Sequence, residues 1–282
     1  VRDKSLNGKL TLITGAASGI GRATALAAGR DGARLVLTDL NAAGLEETVE
    51  LVRAPGGVVE YTRALDISDY DAVTEFAKDV HEQLGTLDVV MNVAGVSAWG
   101  TVENLEHRHW KQMVDVNLMG PIHVIENFIP PMVEAGKGGA LVNVSSAAGL
   151  LALPWHAAYS ASKYGLRGLS EVLRFDLERH DIDVHLVVPG GVNTPLVQSV
   201  QIAGVDRDDP RIQKWVGRFQ EHAVKPEQVA AAILKGIAKK RFIVYSSFDI
   251  RFGYWWARKF AWPYEFFMRR ANDLFNSFLP KR

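Results

Sequence analysis

The chain has 282 residues, long enough for one large α/β unit or two small ones, with 48% hydrophobic and 23% charged residues. That is the composition of an ordinary globular protein and fits neither a disordered nor a membrane-spanning class. Basic and acidic residues balance at 32 each and no lysine/arginine-rich run occurs, so the sequence lacks a global field for gathering nucleic acid.

There is no cysteine, which excludes disulfides, thiolate metal sites and thiol nucleophiles and is compatible with a reducing compartment. The histidines are scattered without a His-x-x-x-His pair backed by a carboxylate, so no metal is expected. The polar start Val1 to Leu10 lacks the apolar core of a secretory signal, and the cytoplasm is the expected location.

In chain order, apolar runs rich in Val, Ile and Leu mark strands at Lys9–Thr14, Arg34–Thr38, Val58–Ala64, Leu87–Asn92, Ala140–Ser145, Asp183–Val188 and Phe242–Tyr245. Helical periods fill most gaps between them. This alternation predicts an α/β fold: a Rossmann-like, doubly wound, mostly parallel seven-stranded sheet with helices on both faces. Strands such as Leu35-Val36-Leu37 and Leu186-Val187-Val188 read as continuously apolar, as strands covered on both faces do. One domain is expected over residues 1–250. The polar, irregular stretch Pro195 to His222 reads as a lid whose closure would exclude water, and 251–282 reads as an aromatic, basic extension.

After the first strand comes Thr14-Gly15-Ala16-Ala17-Ser18-Gly19-Ile20-Gly21, running straight into a helix. Glycines let the backbone approach a pyrophosphate closely, and a helix N-terminus offers free N–H groups to its charge. A plain strand-to-helix turn is the competing explanation. Context favours the cradle, because the second strand ends in Asp39 about 20 residues on, where an acidic residue meets the adenosine ribose. A carboxylate there accepts from ribose hydroxyls and repels a 2′-phosphate, which favours NAD over NADP. Asp39 could instead start the next helix, but Asn41 is the better cap; Arg22 is the nearby base that could answer a 2′-phosphate.

The spacing Gly-x-x-x-Gly-x-Gly departs from the common dinucleotide fingerprint. Together with Asn92-Val93-Ala94-Gly95 after the fourth strand and Tyr159-Ser160-Ala161-Ser162-Lys163 later, it resembles the short-chain dehydrogenase/reductase family over about residues 8 to 246. On its own terms the Tyr159/Lys163 pair shares one helix face at i, i+4. An ammonium there should pull the phenol below its usual pKa of about 10, as a base working near neutrality requires.

The resemblance implies further roles. The serine thirteen residues before the tyrosine, Ser146, would hold the substrate oxygen, with Ser145 as its alternative; Asn117 would distort its helix and complete a proton relay with Lys163. Cofactor contacts would come from Gly15, Ser18, Gly19, Ile20, Gly21, Asp39, Asp66, Ile67, Asn92, Ala94, Gly95, Tyr159, Lys163, Pro189, Gly190, Val192 and Thr194, with Asp66 at the adenine and Val192 and Thr194 at the carboxamide. Asp66 could alternatively start a helix, although Ser68 with Asp71 already forms a capping box. Long helices around 105–135 and 156–180 resemble those through which the family forms homodimers and homotetramers.

The substrate pocket is expected around Val96, Ser146, Leu153, Trp155, Tyr159 and Leu196, a mostly apolar set suited to a hydrophobic secondary alcohol or ketone such as a steroid, retinoid or lipid. His156 is either a structural histidine or a substrate contact. Residues 251–282 concentrate tryptophan and phenylalanine among seven basic and two acidic residues. Three fates fit such a tail: packing on the pocket or a subunit contact, peripheral attachment to a membrane surface, or disorder. The expected function is NAD-linked oxidoreduction. A catalytically silent, NAD-sensing scaffold is the competing class, against which the complete Asn-Ser-Tyr-Lys set argues; a peripheral membrane enzyme acting on lipid-dissolved substrate is a third.

Overall fold

A computed structural model describes residues 6–196, 200–205 and 209–279. Seven strands form one all-parallel sheet: β1 Leu10–Thr14, β2 Arg34–Asp39, β3 Val58–Ala64, β4 Val89–Asn92, β6 Gly139–Val144, β7 Ile182–Val188 and β9 Ile243–Tyr245, in the order β3-β2-β1-β4-β6-β7-β9. The seven strands expected from sequence match these to within two residues at each end. β1 pairs with both β2 and β4, so the strand order reverses beside it, and the carboxyl end of β1 faces the crevice between the two halves.

Alternate residues along each strand face opposite layers. Ile13, Leu35, Leu37, Met91 and Val142 pack with Ala25, Ala28, Val52, Val229 and Ile233 from helices α1 (Gly19–Arg30), α2 (Ala42–Arg53) and α8 (Pro226–Ala238). Leu12, Val36, Val90 and Leu141 pack on the other face with Val73, Phe76, Phe128 and Met132 from α3 (Tyr70–Leu84) and α5 (Gly120–Ala135). Burial on both faces explains why the strands read as unbroken apolar runs.

Asn41 caps α2 as expected, its side chain accepting from Gly44 N at 3.1 Å. The expected Ser68 cap is corrected: Asp69 caps α3 by accepting from Ala72 N, while Ser68 donates to Asp66 through both its backbone and its hydroxyl. A carboxylate competes well against a hydroxyl for the cap, and Asp69 stands one residue closer to the first turn.

The stretch expected to be irregular holds structure. Gln201–Ile202 (β8) pairs in parallel with Ala98–Trp99 (β5), and Pro210–His222 forms helix α7, with Pro210 in its first turn and Asp209 accepting from Arg211 N just ahead of it. Parts of the expected lid, at 197–199 and 206–208, lie outside the described residues. The tail forms two helices, α9 (Phe248–Lys259) and α10 (Ala261–Asn276), so the expected boundary at 250/251 falls inside α9.

Candidate active site

The carboxyl ends of β1, β2 and β4 open onto a cleft of about 720 Å³ lined by Gly15, Ser18 to Gly21, Asp39, Asp66, Ile67, Ala94, Gly95 and Thr194. Gly15 has φ +69°, and a Cβ there would lie 2.6 Å from Ala94 Cα; a Cβ on Gly21 would overlap the Gly15 carbonyl. At these two positions the turn admits no side chain, while Ser18 and Ile20 of the same turn also line the cleft. Buried Thr14 fixes the far wall, because its hydroxyl oxygen accepts from Val93 N and Ala94 N and so ties β1 to the loop after β4.

Asp39 does double duty. One carboxylate oxygen accepts from Ala17 N in the glycine turn and the other from Asn41 N, which aims the carboxylate along the cleft edge. Arg22 is not directed at that edge. Its guanidinium donates to the Ala17 and Gly44 carbonyls, the Thr48 hydroxyl and the Glu47 carboxylate beneath the turn.

A second cavity of about 360 Å³ meets the cleft at Ile20, Val93, Gly95, Thr194 and Leu196, which line both. Its wall includes Ser146, Tyr159, Lys163, Pro189, Gly190, Val192 and Leu153. Tyr159 and Lys163 share a face of α6 (Ala157–Asp176), and the Lys163 ammonium lies 5.8 Å from the centre of the Tyr159 ring. Ser146 hydrogen-bonds the Tyr159 hydroxyl and accepts from Ala148 N, whereas Ser145 turns back to donate to the Lys163 carbonyl. The neighbouring serine therefore anchors α6, and Ser146 is the one partnered with the phenol.

Asn117 sits in a five-residue π-helical segment, Asp115–Met119, between α4 (His107–Val114) and α5. The extra residue per turn re-aims one side chain into a neighbouring element, which an uninterrupted α-helix would not do. The fully buried Asn117 amide pairs with the backbone of Val96, accepting from its N at 2.8 Å and donating to its O at 2.9 Å. A Cβ on Gly95 would meet both Asn117 Oδ1 and Lys163 Nζ, so those two groups converge over that glycine.

Burial dominates the electrostatics. It pushes the Tyr159 phenol above its ordinary range, only partly offset by the hydrogen bond from Ser146, and brings Lys163 down to about 8. The lowering of Tyr159 by Lys163 expected from spacing is thus not what the protein scaffold alone produces. Removing a phenolate from water costs more than the Ser146 hydrogen bond returns, and Lys163 Nζ donates to the Val144 carbonyl, 3.0 Å away. His156 lies in the same cavity wall with Nδ1 2.6 Å from the Pro154 carbonyl; burial lowers it to about 4, so it is neutral near pH 7.

Three expected site residues lie elsewhere. Asn92 is buried beneath the cleft, where its amide donates to Asn143 in a polar chain that continues to Ser170, so its side chain does not line the cavity. Trp155 is not in the cavity wall: it has φ +65°, packs edge-on against Phe275 and donates from Nε1 to Asn276 of α10 at 3.0 Å. Val96 lines the cleft beside the glycine turn and not the apolar cavity, held there by its pairing with Asn117. Of the fates open to the tail, packing on the pocket is the one seen: Ile250, Phe267, Met268, Ala271 and Phe275, none of them singled out from sequence as pocket residues, line the wall. The i, i+3, i+7 spacing of Met268, Ala271 and Phe275 was the available signal for one inward face. Among the described residues no group of side chains could hold a metal ion, and no helix is long and apolar enough to cross a membrane.

Comparison with known proteins agrees with this geometry. The family model for short chain dehydrogenases matches residues 9–203. A putative oxidoreductase, SadH, of Mycobacterium tuberculosis is 36% identical over 237 residues, 83% of this chain and 84% of that protein. The 3-oxoacyl-[acyl-carrier-protein] reductase FabG of Thermotoga maritima is 34% identical, covering 81% of this chain and 90% of its own. A Burkholderia phymatum short chain dehydrogenase/reductase solved with NAD superposes with a TM-score of 0.82 at 28% identity, covering 90% of this chain and 94% of that one. A metagenomic short-chain oxidoreductase solved with NADP gives 0.68 at 31% identity, with 85% and 96% covered.

Proposed function

The chain belongs to the short-chain dehydrogenase/reductase family of oxidoreductases, and we propose that it catalyses NAD-linked interconversion of a hydrophobic secondary alcohol and its ketone. The observation that carries this reading is the junction of two cavities. One is shaped by the glycine turn, where Gly15 and Gly21 leave no room for a Cβ, the other is apolar, and the hydrogen-bonded Ser146–Tyr159 pair lies in the wall of the second.

The cleft suits a dinucleotide. The glycine turn and the start of α1 would receive the pyrophosphate, Asp39 the adenosine ribose and Asp66 with Ile67 the adenine. Val192 and Thr194 would hold the carboxamide end. When bound there, a nicotinamide supplies the hydride acceptor or donor. Two features support NAD over NADP: the Asp39 carboxylate at the cleft edge would repel a 2′-phosphate, and Arg22 is committed to Glu47 and to carbonyls beneath the turn.

The remaining chemistry belongs to the chain. Tyr159 takes the proton from a substrate hydroxyl, or returns it to a carbonyl oxygen, while Ser146 holds that oxygen by a hydrogen bond that strengthens as charge develops. The lowered pKa of Lys163 makes it a proton donor and acceptor near neutrality, and with Asn117 beside Gly95 it passes the proton onward. Leu151, Leu153, Leu196, Val200 and Phe275 give the cavity an apolar wall, and its size is that of a small-molecule site.

The test is a screen of hydrophobic secondary alcohols and ketones with NAD and with NADP, followed by absorbance of the reduced cofactor, on the native chain and Tyr159→Phe. Turnover should fall by about a thousandfold in Tyr159→Phe with NAD affinity retained. Unchanged turnover of every accepted alcohol would refute the mechanism.

A further inference from the structure

The two-helix tail has an inner and an outer side. Inward, Ile250 of α9 and Phe267, Met268, Ala271 and Phe275 of α10 close the cavity that holds Tyr159, and Tyr254 and Tyr264 pack beside Leu150 and Leu151. Outward, the aromatic residues are left uncovered: Phe248 is 78% exposed and Trp262 76%, and Phe252, Trp255, Phe260 and Phe266 are all exposed as well. No residue of α9 or α10 is fully buried.

These rings are not scattered. Phe248 stacks on Phe252, Phe252 adjoins Trp255 and Trp255 adjoins Phe260, with ring centres 5.7 to 6.2 Å apart, while Trp262 stacks on Phe266. Exposed Arg251, Arg258, Lys259, Arg269 and Arg270 accompany them, and the guanidinium of Arg270 lies over the Phe266 ring. Glu265 pairs with Arg269, which leaves Arg251, Arg258, Lys259 and Arg270 against Asp249 and Asp273 in the two helices. Two uncovered aromatic clusters of this kind, on successive helices, mark a contact.

We propose that the α9–α10 pair docks on an anionic phospholipid surface and opens the substrate cavity towards it. Aromatic rings beside lysine and arginine match the headgroup layer, where rings settle among headgroups and cations meet lipid phosphates. A two-fold contact with a second copy would set the same basic residues against themselves, so the charge favours lipid over self-association. The position of Phe267 links the surface to the cavity. It is 58% exposed and also lines the cavity, so it stands at the mouth, one residue from outward-facing Phe266. An apolar substrate dissolved in the bilayer would then reach Tyr159 without crossing water; that delivery step rests on the proposed apolar substrate, whereas the docking itself does not.

The test is flotation of the full chain with vesicles of phosphatidylcholine, with and without phosphatidylglycerol, read without substrate or cofactor. The native chain should float only with phosphatidylglycerol vesicles and detach at high salt. The triple variant Phe252→Ser/Trp262→Ser/Phe266→Ser should lose at least about tenfold in partitioning, and Lys259→Gln about fivefold. Turnover of a short, water-miscible secondary alcohol should be unchanged in both, since none of these residues lines the cavity. Failure of the native chain to float, or equal flotation of the triple variant, would overturn the docking. So would sedimentation showing a dimer that the triple variant breaks while vesicles bind neither form. Flotation without turnover of any alcohol would leave the docking standing and sink the proposed reaction alone.

Discussion

The glycine-turn cleft and the apolar cavity meet at Thr194 and Gly95, yet they are built on opposite principles. The cleft is a backbone construction: a Cβ on Gly15 or Gly21 would collide with neighbouring main chain, and Thr14 and Asp39 hold the loops by accepting from backbone N–H groups. The cavity is a side-chain construction, with wall residues drawn from β5, α6, the loop after β7 and the two tail helices. A backbone site tolerates no added atoms, whereas a side-chain site can change its lining and keep its frame. The first should fail outright when touched and the second should shift its selectivity.

The largest expected effect lies in the cleft. Gly21→Ala should weaken NAD binding by about a hundredfold or more, roughly 3 kcal/mol, in a calorimetric titration. A chain that still bound NAD normally would mean the turn can relax, and the contrast between the two regions would fail.

On the cavity side, His156 should make stability depend on acid pH. Its folded pKa of about 4 lies below the ordinary 6.5, so the unfolded chain binds the extra proton between those values. Stability is therefore complete above pH 6.5 and declines towards pH 4, by on the order of 3 kcal/mol. Denaturant titrations of His156→Phe across this range should show a flatter profile, and an identical slope would place the dependence elsewhere. Lys163, lowered to about 8, acts in another window, with stability rising from pH 8 towards 10.5.

Asp39→Ala should cut the preference for NAD over NADP by about tenfold, about 1.4 kcal/mol. The smallest effect belongs to Trp155→Phe, which removes the Nε1 bond to Asn276. A loss of about 1 kcal/mol should lower Tm by about 2–4 °C, with the KM for NAD unchanged. A change in that KM would show that the tail reaches the cofactor side.

How much could be read in advance follows the same division. Strand identities were legible because burial on both faces leaves an unbroken apolar run. Gly15, Tyr159 and Lys163 were legible because their spacing along one turn or one helix is their geometry, and Asp39 because it ends the strand that follows the glycine turn. Asn92 and Trp155 were misplaced because adjacency in sequence does not say which way a side chain turns: Asn92 alternates into the sheet, and Trp155 leaves a left-handed residue towards α10.

By itself, then, the sequence determined the order of strands and helices, the glycine turn and the tyrosine–lysine pair, all properties of contacts within a few residues. Only the tertiary structure decided that the aromatic tail closes the cavity that holds Tyr159 with Phe267, Met268 and Phe275 while leaving a second aromatic side uncovered. It also decided that burial holds Tyr159 above its ordinary pKa. Desolvation and long-range packing depend on residues more than a hundred positions apart, and no local pattern encodes which of them will meet.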